Sequence, residues 1–266
     1  MTIKLALNGA TGRMGREIIA ALRDDPRFEL VAAIGREAGP DAGRDIGAVA
    51  GGGSLGVSLA SDVSAAVQSA DVLIDFSNPI GFAAALAACR EADCAFVSGT
   101  TGLSEADQAA IEAAARAIAV MHAPNMSLGM AVLNRLAGEA ARLLGEDFDV
   151  EILELHHRHK KDAPSGSALH LGEIVAGARG TTLAASAAYG RHGNVPRAAG
   201  TIGFASLRAG DAAGEHTVLF GGDGERVELI HRATTRRIFA RGALRAAAWI
   251  ADRPMGRYRF EDLLNG

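Results

Sequence analysis

The chain is short of aromatic residues, cysteine and long apolar runs. Phe, Trp and Tyr make up 5% of the 266 residues, with one Trp and two Tyr. Hydrophobic residues still reach 48%, much of it alanine, so a packed core is expected with small side chains setting close helix contacts. Two cysteines, Cys89 and Cys94, cannot build a disulfide framework or a four-ligand zinc site, and they read as buried free thiols. No apolar run reaches the roughly 18 residues of a membrane span. The start, Met-Thr-Ile-Lys followed by Leu5-Ala6-Leu7, lacks the architecture of a secretory leader. The formal charge of -4 gives no global attraction to nucleic acid or to an anionic membrane. A soluble cytoplasmic protein, without nucleic-acid or membrane partners, is the expectation.

What the chain does have is a concentrated basic run, Glu154-Leu155-His156-His157-Arg158-His159-Lys160-Lys161-Asp162-Ala163-Pro164-Ser165-Gly166. Six of these residues can carry positive charge or move a proton. The run leads into Pro-Ser-Gly, which reads as a helix start with Ser165 as N-cap and a helix over 166–178. The amides opening that helix suit an anion.

The first half alternates short apolar strands with amphipathic helices. Strands are expected over 3–7, 30–34, 72–76, 95–98 and 119–122, and helices over 13–23, 64–68, 80–90 and 104–117. Ser104 with Asp107 resembles a capping box. This alternation predicts a parallel sheet covered on both faces. Gly47 to Gly56 reads as a surface loop and Gly180 to Gly200 as a mobile one. A long helix over 127–145, capped by Ser127, precedes a strand in which Phe148, Val150 and Ile152 alternate with Asp149 and Glu151. Segments 201–208, 215–220 and 226–231 are expected to be antiparallel strands, because they are too close for crossover helices. A last helix over 238–251 should carry Trp249 on its apolar side. The fold class is therefore α/β: a parallel-sheet domain with an inserted α+β mixed-sheet domain, the chain returning to the first domain at its end.

Gly9-x-x-Gly12-x-x-Gly15 follows the first strand and opens the first helix. Glycines here allow a tight turn, close approach of backbone to a pyrophosphate, and helix-on-strand packing, the Rossmann arrangement. Gly9, Ala10, Thr11, Gly12, Arg13 and Met14 are thus candidate phosphate-loop residues. At the end of the second strand Gly35 fills the position of the acid that reads ribose hydroxyls, and Arg36 follows, which favours NADPH over NADH. Glu37 would restore the acid if the register moved by one. Loops at later strand ends, Gly99-Thr100-Thr101-Gly102 and Ala123-Pro124-Asn125-Met126, are placed to address the ribose and nicotinamide. Asp75-Phe76-Ser77-Asn78-Pro79 is a weaker loop of the same kind.

Together, GATGRMG at 9–15, GTTG at 99–102, APNMSLGM at 123–130 and ELHHRHKKDAPSGSA at 154–168 closely resemble dihydrodipicolinate reductases. The resemblance continues through 200–218 and 231–247. It implies a Rossmann domain (1–126 plus 238–266) and a mixed-sheet domain (127–237) that binds substrate and tetramerises. It also implies NADPH or NADH as hydride donor and a cyclic dicarboxylate as substrate. Carried over by position, His156 matches an acid/base and Lys160 a proton donor, while His157, Gly166 and Ser167 match substrate-binding positions. Gly99, Thr100 and Thr101 match a cofactor contact, and Ala123, Pro124, Asn125 and Met126 the nicotinamide-side loop. The chain departs from the family at Gly35, where dual-cofactor members carry an acid, and at Ser167, where threonine is frequent. Arg158 and Lys161 read as solvent-facing. His122, His170, His192, His216 and His231 are assigned no catalytic role.

Two other readings compete. His156, His157 and His159 with Glu154 could ligate a metal in a hydrolase, though the spacing is unsuited to zinc and leaves the glycine loop idle. A nucleotide-sensing regulator would leave the His/Lys run idle.

Overall fold

The computed structural model describes residues 2–36 and 39–265. Glu37, on which the alternative register for a ribose-binding acid rests, lies outside the described residues. The chain divides into two compact units, Met1–Leu128 with Arg236–Gly266, and Gly129–Thr235.

The first unit begins as β1 (Ile3–Asn8), α1 (Arg13–Leu22), β2 (Phe28–Ile34), α2 (Ile46–Val49), β3 (Leu59–Ala60) and α3 (Val63–Val67). It continues as β4 (Val72–Asp75), α4 (Pro79–Glu91), β5 (Ala95–Ser98), α5 (Glu105–Ala114) and β6 (Ala119–His122). Helix α6 (Leu128–Leu144) leads into the second unit, which holds β7 (Asp149–His156), α7 (Gly166–Ala178), α8 (Leu183–Ser186), β8 (Ala187–Tyr189), β9 (Ile202–Arg208), β10 (Gly214–Gly222) and β11 (Glu225–Ala233). Helix α9 (Arg237–Ile250) and β12 (Gly256–Tyr258) then complete the first unit.

Among the described residues the first unit forms a seven-stranded sheet in the order β12-β6-β5-β4-β1-β2-β3, every neighbouring pair parallel. Its strands are buried apolar runs, as in Val72, Leu73 and Ile74, because helices cover both faces. One core layer centres on Phe82 and Phe96, whose rings meet edge to face at 5.5 Å. Cys89 and Cys94 are free thiols within it. The capping box at the start of α5 is present, Ser104 and Asp107 satisfying each other's backbone amides. Helix α9 packs hard against the segment after β6: a Cβ on Gly242 would stand 1.7 Å from the Met126 carbonyl oxygen.

The second unit forms a five-stranded mixed sheet, β11-β10-β7-β9-β8. Side chains alternate along β7, so Val150, Ile152, Glu154 and His156 are buried while their neighbours are more open. The buried face packs with Val218, Phe220, Ile202 and Phe204 against α6 and α7, through Met130, Leu133, Leu171 and Val175. Each such fully buried large side chain contributes about 1.5–3 kcal/mol.

Three expectations need correction, and two short strands went unread. Strands β9, β10 and β11 do alternate in direction and β10 and β11 form a hairpin, but β9 does not pair with β10: β7 lies between them, and β9 pairs in parallel with β7 and β8. The link from β7 to β9 contains α7 and is long enough for a crossover, so proximity of β9 to β10 in sequence did not decide pairing. Residues 180–200 are not one structureless loop but contain α8 and β8. Residues 47–56 begin inside the short helix α2, whose Asp45 cap also accepts from the amides of Leu55 and Gly56 and so closes the turn. The short strands β3 and β12 went unread because two or three residues carry no periodicity. None of the described helices is long and apolar enough to cross a membrane.

Gly242→Ala tests the contact between α9 and the loop after β6. It is expected to lower the stability of the first unit by roughly 1–3 kcal/mol, the range of core overpacking, read as a lower urea midpoint. An unchanged midpoint would show that the contact has slack.

Candidate functional site

Residues proposed from sequence for the cofactor share one place in the first unit. Ile34, Asn8, Asp75, Ser98 and His122 stand in one register row at the ends of β2, β1, β4, β5 and β6. The proposed segments 9–14, 36, 99–101 and 123–126 all lie just beyond this row, at the carboxyl edge where open α/β sheets bind ligands. The chain order reverses direction between β1 and β4, which makes this the topological switch point.

The glycine loop has the geometry that its sequence implies. Gly9 sits at φ 77°, and a Cβ there would stand 2.4 Å from the Phe76 carbonyl oxygen. A Cβ on Gly15 would stand 2.4 Å from the Gly9 carbonyl oxygen, so α1 rests directly on the loop. Gly12 is the N-cap of α1, with no side chain capping the helix and no acid in its first turn. This backbone cradle, closed to side chains and positive at the helix end, fits a pyrophosphate. Gly35 packs on Leu59, where a Cβ would be 3.0 Å from Leu59 Cδ2, and Arg36 is exposed beside it.

A buried carboxylate ties the row together. Asp75, fully buried, accepts hydrogen bonds from Asn8 Nδ2 at 2.9 Å, Ser77 Oγ at 2.5 Å, Ser98 Oγ at 2.8 Å and Thr100 Oγ1 at 2.7 Å. It thereby connects the end of β1 to the loops after β4 and β5. His122 Nε2 lies 2.8 Å from the Thr100 carbonyl oxygen. Ala123 and Met126 are buried, Asn125 half-buried and Pro124 exposed, with Asn125 Oδ1 accepting from the Ser127 amide at 2.9 Å.

The second unit gathers the residues proposed for the substrate. His156 ends β7, and its Nδ1 lies 2.5 Å from Glu154 Oε2. Glu154 is 1% exposed and receives both Arg208 Nη1 and Nη2 at 2.8 Å. Its other oxygen accepts from the Ser165 amide at 3.2 Å, so the same carboxylate meets the N-cap of α7. Ser165 Oγ accepts from the Ala168 amide, as the sequence reading expects of a cap, and lies 3.2 Å from His216 Nε2. Gly166, exposed at the start of α7, has no heavy atom within 4 Å of where a Cβ would stand. Ser167 follows, half-buried. Lys160 Nζ donates to Asp162 Oδ2 at 2.8 Å, and the Lys160 amide donates to the His157 carbonyl in a tight turn. His157 is half-buried, while Arg158, His159 and Lys161 are exposed.

Electrostatics separate these groups. Burial alone would raise the Glu154 carboxyl, but hydrogen bonds from Arg208, His156 and Ser206 outweigh it and hold the pKa at about 2. Burial lowers His156, a shift that its bond to Glu154 only partly offsets. Burial carries His216 down to about 4, with the neighbouring His156 adding to the effect. The Lys160 ammonium lowers the Asp162 carboxyl.

Two family models span the chain: "Dihydrodipicolinate reductase, N-terminus" matches residues 3–126, and "Dihydrodipicolinate reductase, C-terminus" matches 129–264. The chain belongs to the dihydrodipicolinate reductase family. A 4-hydroxy-tetrahydrodipicolinate reductase of Halorhodospira halophila is 50% identical over 265 residues, covering 99% of both chains. One of Alkalilimnicola ehrlichii is 51% identical with the same coverage. Among solved structures, a dipicolinate-bound dihydrodipicolinate reductase from Paenisporosarcina sp. TG-14 superposes with a TM-score of 0.78 at 24% identity, covering 98% of this chain and 99% of that one. At that identity the likeness speaks for the fold: a Rossmann-type parallel sheet with a separate mixed sheet. The family's C-terminal portion includes α9 and β12, which here fold into the first unit.

Sequence reading missed Arg208, gave His216 no catalytic role, named Asp75 only within a weaker ligand loop, and considered Glu154 only as a metal ligand. Glu154 had one local signal, an acid two residues before His156 on a strand, which places both side chains on one face. Arg208 and His216 had none, since they arrive from β9 and β10.

His216 gives a pH prediction. Its folded pKa lies below the ordinary histidine value, so the unfolded chain takes up the proton first. Acidification should therefore cost stability from about pH 6.5 down to about 4. His216→Gln should flatten that part of the profile, read as the urea midpoint at pH 7 and pH 5. Equal slopes in the two proteins would show that His216 is not held neutral by the fold.

Proposed function

We propose that this chain reduces 4-hydroxy-tetrahydrodipicolinate to tetrahydrodipicolinate with loss of water, using a nicotinamide cofactor, in diaminopimelate and lysine biosynthesis. Membership of the reductase family supports the activity. The observation that carries the site assignment is the convergence of His156 and the α7 N-terminus on one buried carboxylate.

The first unit is proposed to hold the dinucleotide, through Gly9, Ala10, Thr11, Gly12, Arg13 and Met14 at the pyrophosphate. Gly99, Thr100, Thr101, Ala123, Pro124, Asn125 and Met126 line the ribose and nicotinamide side. When bound, the nicotinamide supplies the hydride. NADPH is the favoured cofactor and NADH the alternative: Arg36 is exposed beyond β2, where a guanidinium suits a 2′-phosphate, and Gly35 offers no acid to the ribose.

The second unit is proposed to hold the dicarboxylate. Gly166 and Ser167 open α7, whose positive end attracts a carboxylate, and His157 adds a donor. The ring hydroxyl leaves as water once protonated, so the reaction consumes one hydride and one proton. Lys160 is the proposed proton donor and His156 the acid/base that manages the charge left behind.

The second unit is also the proposed tetramerisation unit. Leu207 and Ile230 are 51% and 44% exposed on the sheet face opposite His156, beside the half-buried Leu153, Leu155 and Leu219. An open depression of about 590 Å³, lined in part by Asp149, Glu151, Arg191 and Arg197, lies on that same face. An exposed apolar patch rimmed by charge suits contact with further copies of the chain. The reading places the enzyme in the cytoplasm, acting on a small molecule without nucleic-acid or membrane partners.

A coupled assay tests the activity: pyruvate and aspartate semialdehyde are condensed by the preceding synthase, and cofactor oxidation is followed at 340 nm. Substrate-dependent oxidation is expected, and its absence with both cofactors rejects the reading. His156→Ala and Lys160→Ala should each lower kcat by roughly 10²–10⁴; near wild-type turnover would refute their roles. Arg36→Ala should raise KM for NADPH much more than for NADH, and equal changes would reject the 2′-phosphate contact.

A further inference from the structure

Glu154 is a carboxylate on the helix-facing side of a strand, in line with Val150 and Ile152. Such a group is costly to bury unless donors replace its water. A salt bridge to Arg208 would by itself satisfy one lone pair on each oxygen. The structure does more than that. Each Glu154 oxygen takes one Arg208 N–H and one donor from the site, His156 on Oε2 and the Ser165 amide on Oε1, and Ser206 adds a further hydrogen bond to the carboxylate. Arg208 is held in turn by the carbonyls of Leu207 and Asp162, at 2.7 and 2.5 Å. The carboxylate therefore sits on a fixed guanidinium and turns one oxygen to the histidine and the other to the helix start.

We propose that Glu154 is the positioning residue of the reaction: it holds His156 in the Nδ1–H form, so that Nε2 is the atom that exchanges a proton, and ties the first turn of α7 to the same strand end. This deepens, and rests on, the reading of His156 as the acid/base. An ionised Glu154 can only accept, so Nδ1 must be the donor in that bond. Nε2 then carries the lone pair when the ring is neutral and the second proton when it is charged. The far side of the ring is kept small: a Cβ on Gly214 would stand 3.0 Å from His156 Nε2. The ring of His216 lies edge-on at 5.2 Å. The titratable and charged groups facing His156 are thus Glu154 on its own strand, Arg208 from β9, His216 from β10, and Lys160, itself paired to Asp162, from the turn after β7.

Three measurements on the full-length protein test this. The long-range ¹H–¹⁵N spectrum of the wild-type histidines should show His156 protonated on Nδ1 at neutral pH, and an Nε2–H form overturns the proposal without any variant. Glu154→Gln should lower kcat/KM by about 10- to 100-fold, by analogy with the loss of carboxylates that orient metal-bound histidines. It should also move the pH limb that reports His156 to lower pH, because removing the negative neighbour disfavours the imidazolium. An unmoved limb counts against the proposal. In a His156→Asn background Glu154→Gln should cost less than about twofold more, since the histidine it orients is gone and the glutamine oxygen can still accept from the Ser165 amide. Equal losses in both backgrounds would make Glu154 merely structural and overturn its role alone. Near wild-type turnover of His156→Asn would instead bring down the acid/base reading itself.

Discussion

An ionised carboxylate in a protein interior has to find donors equal to the water that it loses, and an unpaired one costs several kcal/mol. Glu154 meets that demand inside the second unit, and much of the unit's arrangement follows from how it does so. Arg208 must come from β9, which requires β9 to lie beside β7 in the register that sets Arg208 opposite His156. The Ser165 amide must come from the start of α7, which brings the helix N-terminus to the end of β7. His156 completes the set from two residues along the same strand. The mixed sheet, the crossover helix and the proposed chemistry therefore share one electrostatic constraint. The apolar layer beneath, which includes Val150, Ile152, Phe204, Val218 and Phe220, supplies apolar burial but places none of these polar atoms.

The first unit repeats the device with a different purpose. Asp75 is also fully buried at a strand end, and its donors are one amide side chain, three hydroxyls and the Ser77 backbone amide rather than a guanidinium. Those donors come from β1, β5 and the loops after β4 and β5, so the carboxylate binds the carboxyl edge of the parallel sheet into one surface. The glycine loop rests on that surface, with Gly9 against the Phe76 carbonyl and Gly15 against Gly9. The proposed phosphate cradle needs loops that do not yield, and a buried hydrogen-bonded hub under the loops provides that stiffness.

How much of this was legible depends on the distance over which each feature is decided. The cap of α7 at Ser165 and the box of Ser104 with Asp107 were readable because cap chemistry lies within four residues. The parallel sheet was readable because apolar runs alternated with helical ones. The pairing of β9 was not, because a strand's neighbour depends on a long crossover and on which register buries which face. The stretches 47–56 and 180–200 misled for a similar reason. Their glycines and alanines look unstructured, while Asp45 in the first and the edge of β9 in the second impose order.

The sequence by itself determined the family, the two kinds of domain, the glycine loop, and the histidine-lysine run with its helix start. All of these are written in contiguous residues whose types and spacing carry the chemistry. Only the tertiary structure decided which atoms complete that run. Arg208 reaches Glu154 across 54 residues of chain, and His216 reaches Ser165 across 51. Nothing in the spacing of such residues marks them, because a side chain meets a distant partner only after hydrophobic burial has chosen the pairing of the strands. The role of Glu154 belongs to that second class. Its place in the sequence suggests a neighbour of a histidine, and its burial in the fold makes it the group on which the histidine's orientation depends.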